Sequence, residues 1–442
     1  MSEFNKAELE NLVHDLLREA KARGATQAEA DVSIVKGLSV TVRMGDVETV
    51  EFNQDRGLGV TVYFGKCRGS ASTSDFSLNA VRETVAAACG IAKFTAEDDC
   101  SGLADAERMA YQYPDLDLSH PWRVNAEQAI DIALAAEAAA RAADVRITNS
   151  DGASVSTHDS FRVYGNSHGF VGSYPTSRHS ISCTVIAQDG GSMQRDHWYS
   201  SSRLATELLA PEAIGKRAAE RAVRRLNGRQ LSTRKTPVLF AQELCGGLIN
   251  HLISAIRGES LYRKSSFLVD ALGKTLFPSF VRIDEQPHLR RAVGSAPFDA
   301  EGVLTRAHPI VEDGVLCSYV LDTYAARKLG MTTTGNAGGV HNLIVSTGDQ
   351  DVASLLKTMG TGLYVTELMG QGVNKVTGDY SRGASGFWVE NGVIQYPVEE
   401  ITIAGKLQDM FRGIVAIGND IEPHRNIQIG SVLIERMTVA GA

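Results

Sequence analysis

The spacing of apolar residues changes from a helical period to an alternating one within the first forty positions, and this switch most constrains the fold. Leu9, Leu12, Val13, Leu16 and Leu17 fall at i, i+3, i+4, i+7 and i+8, so one apolar stripe runs along a helix near residues 6–23, and Gly24 stops it. From Ala30 to Phe64 the chain alternates, as in Val32-Ser-Ile34 and Ser39-Val-Thr-Val-Arg43. Met44-Gly45-Asp46 reads as a turn, and Leu58-Gly-Val-Thr-Val-Tyr63 as a further strand. Residues 76–94 return to the helical pattern through Leu78, Val81, Val85 and Ala88. A helix, an antiparallel meander and a second helix cannot be folded as a helical bundle.

The rest of the chain mixes the two periods without strict alternation. An Asp- and Pro-containing stretch at 97–124 predicts a boundary, and an Ala-rich helix follows from Ala126 to about Ala143. Strands are expected at Val145–Thr148, Ser160–Tyr164 and His179–Ala187, then a helix opened by Pro211 and closed by Asn227-Gly228. Lys235–Phe240 reads as a strand entering a helix that carries Leu244, Leu248, Ile249, Leu252, Ile253 and Ile256. From about 278 onward short apolar runs are separated by Gly, Asn and Asp, with a helix near 351–359. The fold class is therefore α+β: an N-terminal α/β half with an antiparallel meander and flanking helices, and a sheet-rich C-terminal domain. Domains are expected at 1–118, 119–230 and 231–442, without a tandem repeat.

Composition narrows the function classes. The 442 residues carry 44 Lys+Arg against 52 Asp+Glu, a net charge of −8, which argues against a dedicated nucleic-acid binder. The basic helix at 212–229, with Lys216, Arg217, Arg221, Arg224, Arg225 and Arg229, is interleaved with Glu212, Glu220 and alanines, and reads as a solvated amphipathic helix. No run approaches the roughly 18 apolar residues that cross a bilayer. The first residues are acidic where a secretory signal would be basic and then apolar. The six cysteines lie far apart with no Cys-x-x-Cys pair, the usage of a reducing compartment. These features predict a cytoplasmic, multidomain protein with no membrane segment.

Several segments invite a chemical reading. Gly165-Asn-Ser167-His-Gly169 matches the Gly-x-Ser-x-Gly nucleophile elbow, which needs a helix after it; the following residues look like strand, which favours a hairpin turn. The glycine-rich stretches at 335–339, 360–362 and 370–372 match neither a dinucleotide fingerprint nor a phosphate-binding loop. No histidine pair has zinc-helix spacing, although His308, His341 and His424 could meet in space to hold a metal. Residues 376–390 form a polar, small-residue run; Arg382, with Ser381 and Tyr380 beside it, is the candidate for holding a peptide carbonyl or carboxylate, against a surface loop with a structural ion pair.

Taken together, these words resemble the TldD/PmbA family. Glu48-Thr-Val-Glu-Phe-Asn53, Gly57–Tyr63 and Gly165–Gly169 are similar to its N-terminal half. Tyr262–Leu268, Ser295–Gly302, Thr366–Gly372, Thr377–Gly392, Ile401–Gly405 and Gly418–Ile421 are similar to its C-terminal half, and the likeness is to the PmbA branch, also called TldE. The resemblance implies a subunit of a cytoplasmic metalloprotease complex that pairs with a TldD-type subunit and degrades unfolded or extended peptides, including microcin leader peptides. It also carries the label of a modulator of DNA gyrase.

The TldD branch holds its metal with a His-Glu-x-x-x-His helix and a cysteine near the C-terminus. Laid on this sequence, Asn250 stands at the first histidine, His251 at the glutamate and Ala255 at the second histidine, while the tail reads Asn426-Ile-Gln-Ile-Gly430 without a cysteine. An amide, a methyl and a branched alkyl cannot replace two imidazoles and a thiolate around a divalent cation. The resemblance therefore implies a chain without its own catalytic residues or metal, zinc in the partner subunit, and extended peptide as the shared substrate. Isolated, such a chain is expected to form a homodimer through the surface its partner uses. Two other readings follow from the sequence: a non-enzymatic protein-binding regulator, and a stand-alone metallopeptidase.

Overall fold

The computed structural model describes residues 5–441. Helix α1 (Lys6–Ala22) is capped by Asn5, whose side chain accepts from the Glu8 amide, and buries Leu9, Leu12, Val13, Leu16 and Ala20. Strands β1 (Gln27–Arg43) and β2 (Asp46–Phe64) are joined by Met44 and Gly45, both at positive φ (54° and 87°), as a tight hairpin requires. The meander expected between 30 and 64 is thus one long hairpin, completed by β3 (Cys67–Thr73), which the sequence pattern does not mark. Gly37 does not interrupt β1: it sits where a Cβ would strike the His158 ring of the neighbouring strand.

Helices α2 (Leu78–Phe94) and α3 (Ala126–Ala143) follow, α3 opened by a capping box of Asn125 and Gln128. Of the short strands expected between 145 and 187, the first two are parts of one long strand, β4 (Ile147–Asn166), and the third is part of β5 (Val171–Asp189); β6 (Ser192–Ser202), which the sequence reading does not mark, follows, and then α4 (Pro211–Arg224). All six strands pair antiparallel in the order β3-β2-β1-β4-β5-β6. One face is apolar. Ala28, Ala30 and Val32 of β1 pack in the core of α1 and α2, and Leu38, Val40 and Val42 in that of α3 and α4. The other face carries short hydroxyls, such as Ser156 and Ser180, whose oxygens lie 2.8 Å apart.

The C-terminal region is built on β7 (Arg234–Phe240), α5 (Gln242–Ile256) and α6 (Gly258–Tyr262). Then come β8 (Ile283–Glu285), β9 (His308–Glu312), β10 (Val315–Leu316), α7 (Thr323–Lys328), β11 (Leu343–Val345) and α8 (Val352–Met359). β12 (Gly362–Met369), β13 (Val373–Asn374), β14 (Asp379–Glu390), β15 (Val393–Lys406), α9 (Leu407–Arg412), β16 (Ile414–Ile417), β17 (Ile427–Gln428) and β18 (Val432–Ala440) complete it. β12 pairs with both β7 and β14, so β12, β7, β18, β15 and β14 close on themselves around the large C-terminal core. A smaller sheet, β10-β9-β8-β11-β17, lies beside it. The α+β reading and the sheet-rich C-terminal region hold. Among the described residues, no helix is long and apolar enough to cross a membrane.

Two local expectations are corrected by the tertiary structure. The 376–390 run is not a surface loop: it is mostly β14, paired on one side with β12 and β13 and on the other with β15. The basic helix is not simply solvated either. Arg221, and Arg225 just beyond the end of α4, are buried and point at carboxylates, because the helix is clamped between the two halves of the molecule.

Candidate functional site: a cleft between the halves

A cavity of about 670 Å³ opens where β6 meets α5 and the segment 422–427. Successive residues of α5 that share one helical face, Glu243, Gly246, Gly247 and Asn250, form one wall. Tyr199 and Ser201 of β6 form the opposite wall, and His424, Arg425 and Asn426 close the end.

A buried charge network braces this junction. Asp196 of β6 accepts from Arg221 Nε at 3.0 Å and from Arg225 Nη1 at 3.2 Å. Arg221 also reaches Glu243 of α5 at 2.5 Å, and Arg225 pairs with Glu367 of β12 and donates to Ser385 of β14. Burial pushes the Asp196 carboxyl up, but Arg221 and Arg225 outweigh it and hold it below its ordinary range. Arg217 lies 3.7 Å above the Trp198 ring, extending the clamp outward.

The positions that the resemblance assigns to a metal site are placed as follows. Asn250 lies on the cleft wall, and Asn426 and Ile427 face the same cavity. His251, on the next position of α5, instead packs edge-on against Tyr380 at 5.9 Å between ring centroids. Burial and the nearby Arg382 charge lower its pKa. Ala255 is sealed in the C-terminal core. The structure thus brings position 250 and the 426–427 segment together, and leaves 251 and 255 in other surroundings.

Arg382, Ser381 and Tyr380 do not share one surface. Alternation along β14 sends Tyr380 into the core at 2% exposure, where burial pushes its hydroxyl up to about 12, whereas Ser381 is exposed on the opposite face. Arg382 is half-buried; among the described residues its guanidinium has no carboxylate partner and its Nε has no hydrogen-bond partner. The structural ion pair weighed for it is absent from that set.

The other candidates fall into structural roles. Residues 167–170 turn β4 into β5, so strand follows Ser167 where a nucleophile elbow needs helix, and Ser167 Oγ accepts from the Ala28 amide at 3.1 Å. His308 and His341 both converge on Glu285, at 3.6 and 2.8 Å, while His424 lies in the cleft. Burial raises the Glu285 carboxyl, but hydrogen bonds and charge from His341, with Asn336, bring it below the usual range. Among the described residues, no three His, Cys, Asp or Glu side chains are grouped as a metal ion needs. Sequence reasoning missed Trp198, Glu243 and Arg425; the one local signal was Gly246-Gly247 inside an otherwise apolar helix.

Family models match along the chain. PmbA/TldA metallopeptidase domain 1 covers residues 28–92, the central domain 119–226 and the C-terminal domain 233–441. The Metalloprotease PmbA of Escherichia coli O157:H7 is 52% identical over 94% of this chain and 92% of its own length. The chain belongs to the PmbA/TldD metallopeptidase family. A PmbA homologue from Haemophilus influenzae is 50% identical over 96% of this chain and 94% of its own. Among solved structures, a protein of Bacteroides thetaiotaomicron described as a modulator of DNA gyrase superposes with a TM-score of 0.93 at 28% identity, covering 98% of this chain and 99% of that one. TldE from Thermococcus kodakarensis, 18% identical, shares the fold with a TM-score of 0.81 over 97% and 100% of the two chains.

Membership of a metallopeptidase family implies a metal ion, and the side chains at the positions that the resemblance assigns to its ligands do not fit one. Those assigned positions hold an amide at 250, a core methyl at 255 and, near the tail, Asn426 and Ile427. None offers the imidazole, thiolate or carboxylate that a zinc-type cation takes.

Proposed function

We propose that this chain is the PmbA/TldE-type subunit of a cytoplasmic metalloprotease complex acting on unfolded or leader peptides, and that a TldD-type subunit supplies the zinc and the bond-breaking step. The observation that carries it is that Asn250 and Asn426, at positions the resemblance assigns to the metal site, line one cleft and are amides, which hydrogen-bond a peptide but are not zinc ligands or general bases. Metal-assisted peptide hydrolysis needs a polarising ion and a carboxylate base, so these must come from elsewhere.

A second feature supports a partner. Residues 46–56 of β2 project beyond β3 and are exposed throughout, with Val47, Val50 and Phe52 (73% exposed) open to solvent. Long exposed edges with apolar side chains are otherwise a liability. The net charge of −8 disfavours nucleic acid as that partner.

Co-expression with the TldD-type protein of the same organism tests the reading. The expected result is a heteromeric complex that holds zinc and cleaves unfolded peptide, while the single chain does neither. A single chain that retains stoichiometric zinc and cleaves peptide refutes it in favour of a stand-alone metallopeptidase. Recovery of gyrase without a TldD-type partner or protease activity refutes it in favour of a binding regulator.

A further inference from the structure

A cavity of about 270 Å³ that shares no lining residue with the cleft is built from three segments distant in sequence. Arg108, at the end of a short 3₁₀ turn in the connection between α2 and α3, forms one side. Residues 303–308, which lead into β9, and Thr333, Thr334 and Gly335, which follow α7, form the others. The segments are fastened together. The Leu304 amide donates to the Arg108 carbonyl at 3.0 Å, Met109 bridges to Val303, and Gly335, at a φ of 76°, lies where a Cβ would come within 3.2 Å of the Leu304 carbonyl oxygen.

The charge of this cavity is one-sided. Arg108, Arg306 and His308 line it with no aspartate or glutamate, in a chain whose acids outnumber its Lys and Arg by 52 to 44. Arg306 is exposed, and among the described residues its guanidinium has neither an ion pair nor a hydrogen bond. Arg108 has Asp105 at 3.8 Å, but Asp105 also pairs with Arg327 at 3.2 Å. Behind His308, Glu285 lies 3.6 Å from Nε2, buried and already engaged by His341 and Asn336. Two guanidinium groups at one cavity with no acid in its walls leave an uncompensated positive field.

The remaining donors sharpen the chemistry. The hydroxyls of Thr333 and Thr334 donate to the Leu321 carbonyl, at 3.1 and 3.2 Å, so recognition falls to the arginines. Among the described residues, the main-chain amides of Arg306 and Ala307 donate to no carbonyl or side chain, which adds two neutral donors beside the guanidinium. Val303, Leu304 and Ala307 make an apolar wall against which a small organic body can rest.

We infer that this cavity binds a phosphate dianion, free or as the head of a small phosphomonoester, held by Arg306 and Arg108. A guanidinium fork matches two phosphate oxygens at once, and a dianion balances both cations where a monocarboxylate balances one. The inference goes beyond the proposed function and does not rest on it, since no residue of the cleft takes part. Because Arg108 belongs to the connection after α2 and Arg306 to the C-terminal region, the bound anion also clasps the two halves together.

Isothermal titration calorimetry and thermal melts of the purified single chain test this, at constant ionic strength in chloride and at a pH of about 8, where a phosphomonoester with its second pKa of about 6 is a dianion. The probes are inorganic phosphate, glycerol 3-phosphate and acetate. At least one of the two phosphates is expected to bind at least tenfold more tightly than acetate and to raise the thermal midpoint saturably. The tighter of the two identifies the source, free ion or ester. Arg306→Gln, at an exposed position, should weaken phosphate binding at least tenfold while leaving the unliganded midpoint unchanged, and Arg306→Lys should restore part of the affinity. Arg178→Gln, which removes a cation from the wall of the cleft, should leave binding unchanged. No saturable binding of either phosphate, or acetate binding as tightly, overturns the inference whether or not the variants fold. Full affinity in folded Arg306→Gln, or its loss in folded Arg178→Gln, overturns it as well.

Discussion

Replacing Asp196 by Asn should loosen the junction that forms the cleft. Asp196 is 6% exposed and is shared by two buried arginines, at 3.0 and 3.2 Å. Breaking a buried ion pair from one side costs about 3–5 kcal/mol. Here Arg221 keeps Glu243 and Arg225 keeps Glu367, so neither cation is left wholly unpaired, and the expected loss is about 2–4 kcal/mol. Its pH dependence has a definite sign. The Asp196 pKa is lower in the folded chain than its ordinary 3.8, so the carboxylate contributes stability at neutral pH, and the contribution fades as pH falls below about 4. Urea unfolding followed by tryptophan fluorescence measures the difference, and hydrogen exchange in α4 and α5 locates it. Glu259→Gln serves as control, since its exposed pair with Arg263 at 3.3 Å contributes under about 1 kcal/mol. An Asp196→Asn effect no larger than the control at pH 7, or one that grows in acid, would refute the bracing role.

Other substitutions probe separate parts of the molecule. Gly215→Ala should destabilise the α3–α4 pair by about 1–3 kcal/mol, visible in thermal melts, because the new methyl collides with the Ala136 carbonyl of the facing helix. Burial pushes the Glu301 carboxyl from 4.5 up to about 7, so the folded chain favours its protonated form and stability falls as pH rises from about 4.5 to 7. Glu301→Gln should therefore stabilise the chain at pH 8 by up to about 3 kcal/mol and change little at pH 4, as denaturant titrations at the two pH values will show. Phe52→Ser should alter stability by less than about 0.5 kcal/mol while weakening self-association of the isolated chain, read by light scattering.

On the proposed function, this chain separates two tasks often found together: holding a peptide and cutting it. Holding requires directed donors and space for a main chain. Cutting requires an ion and a base. Asn250 and Asn426 suit the first task, and the side chains at 250, 255 and 426 are unsuited to the second.

The sequence by itself determined the elements whose signals are local. The Leu9–Leu16 stripe, the Asn125 cap, Pro211 at a helix start and the Val32–Arg43 alternation all fold as their periods demand, because each depends on residues within a few turns or pleats. That positions 250 and 255 carry an amide and a methyl was equally legible, and both are poor zinc ligands in any fold. Tertiary structure alone decided that Arg221 and Arg225 turn inward, because only the approach of β6, α5 and β12 surrounds them with Asp196, Glu243 and Glu367. It also made residues 376–390 a paired strand, since hydrogen bonds from β12, β13 and β15 stabilise a glycine-rich segment that has little strand preference of its own. The cleft belongs to the same class: its walls are separated by more than two hundred residues along the chain, from Trp198 to Asn426, and no local pattern carries information about such a meeting.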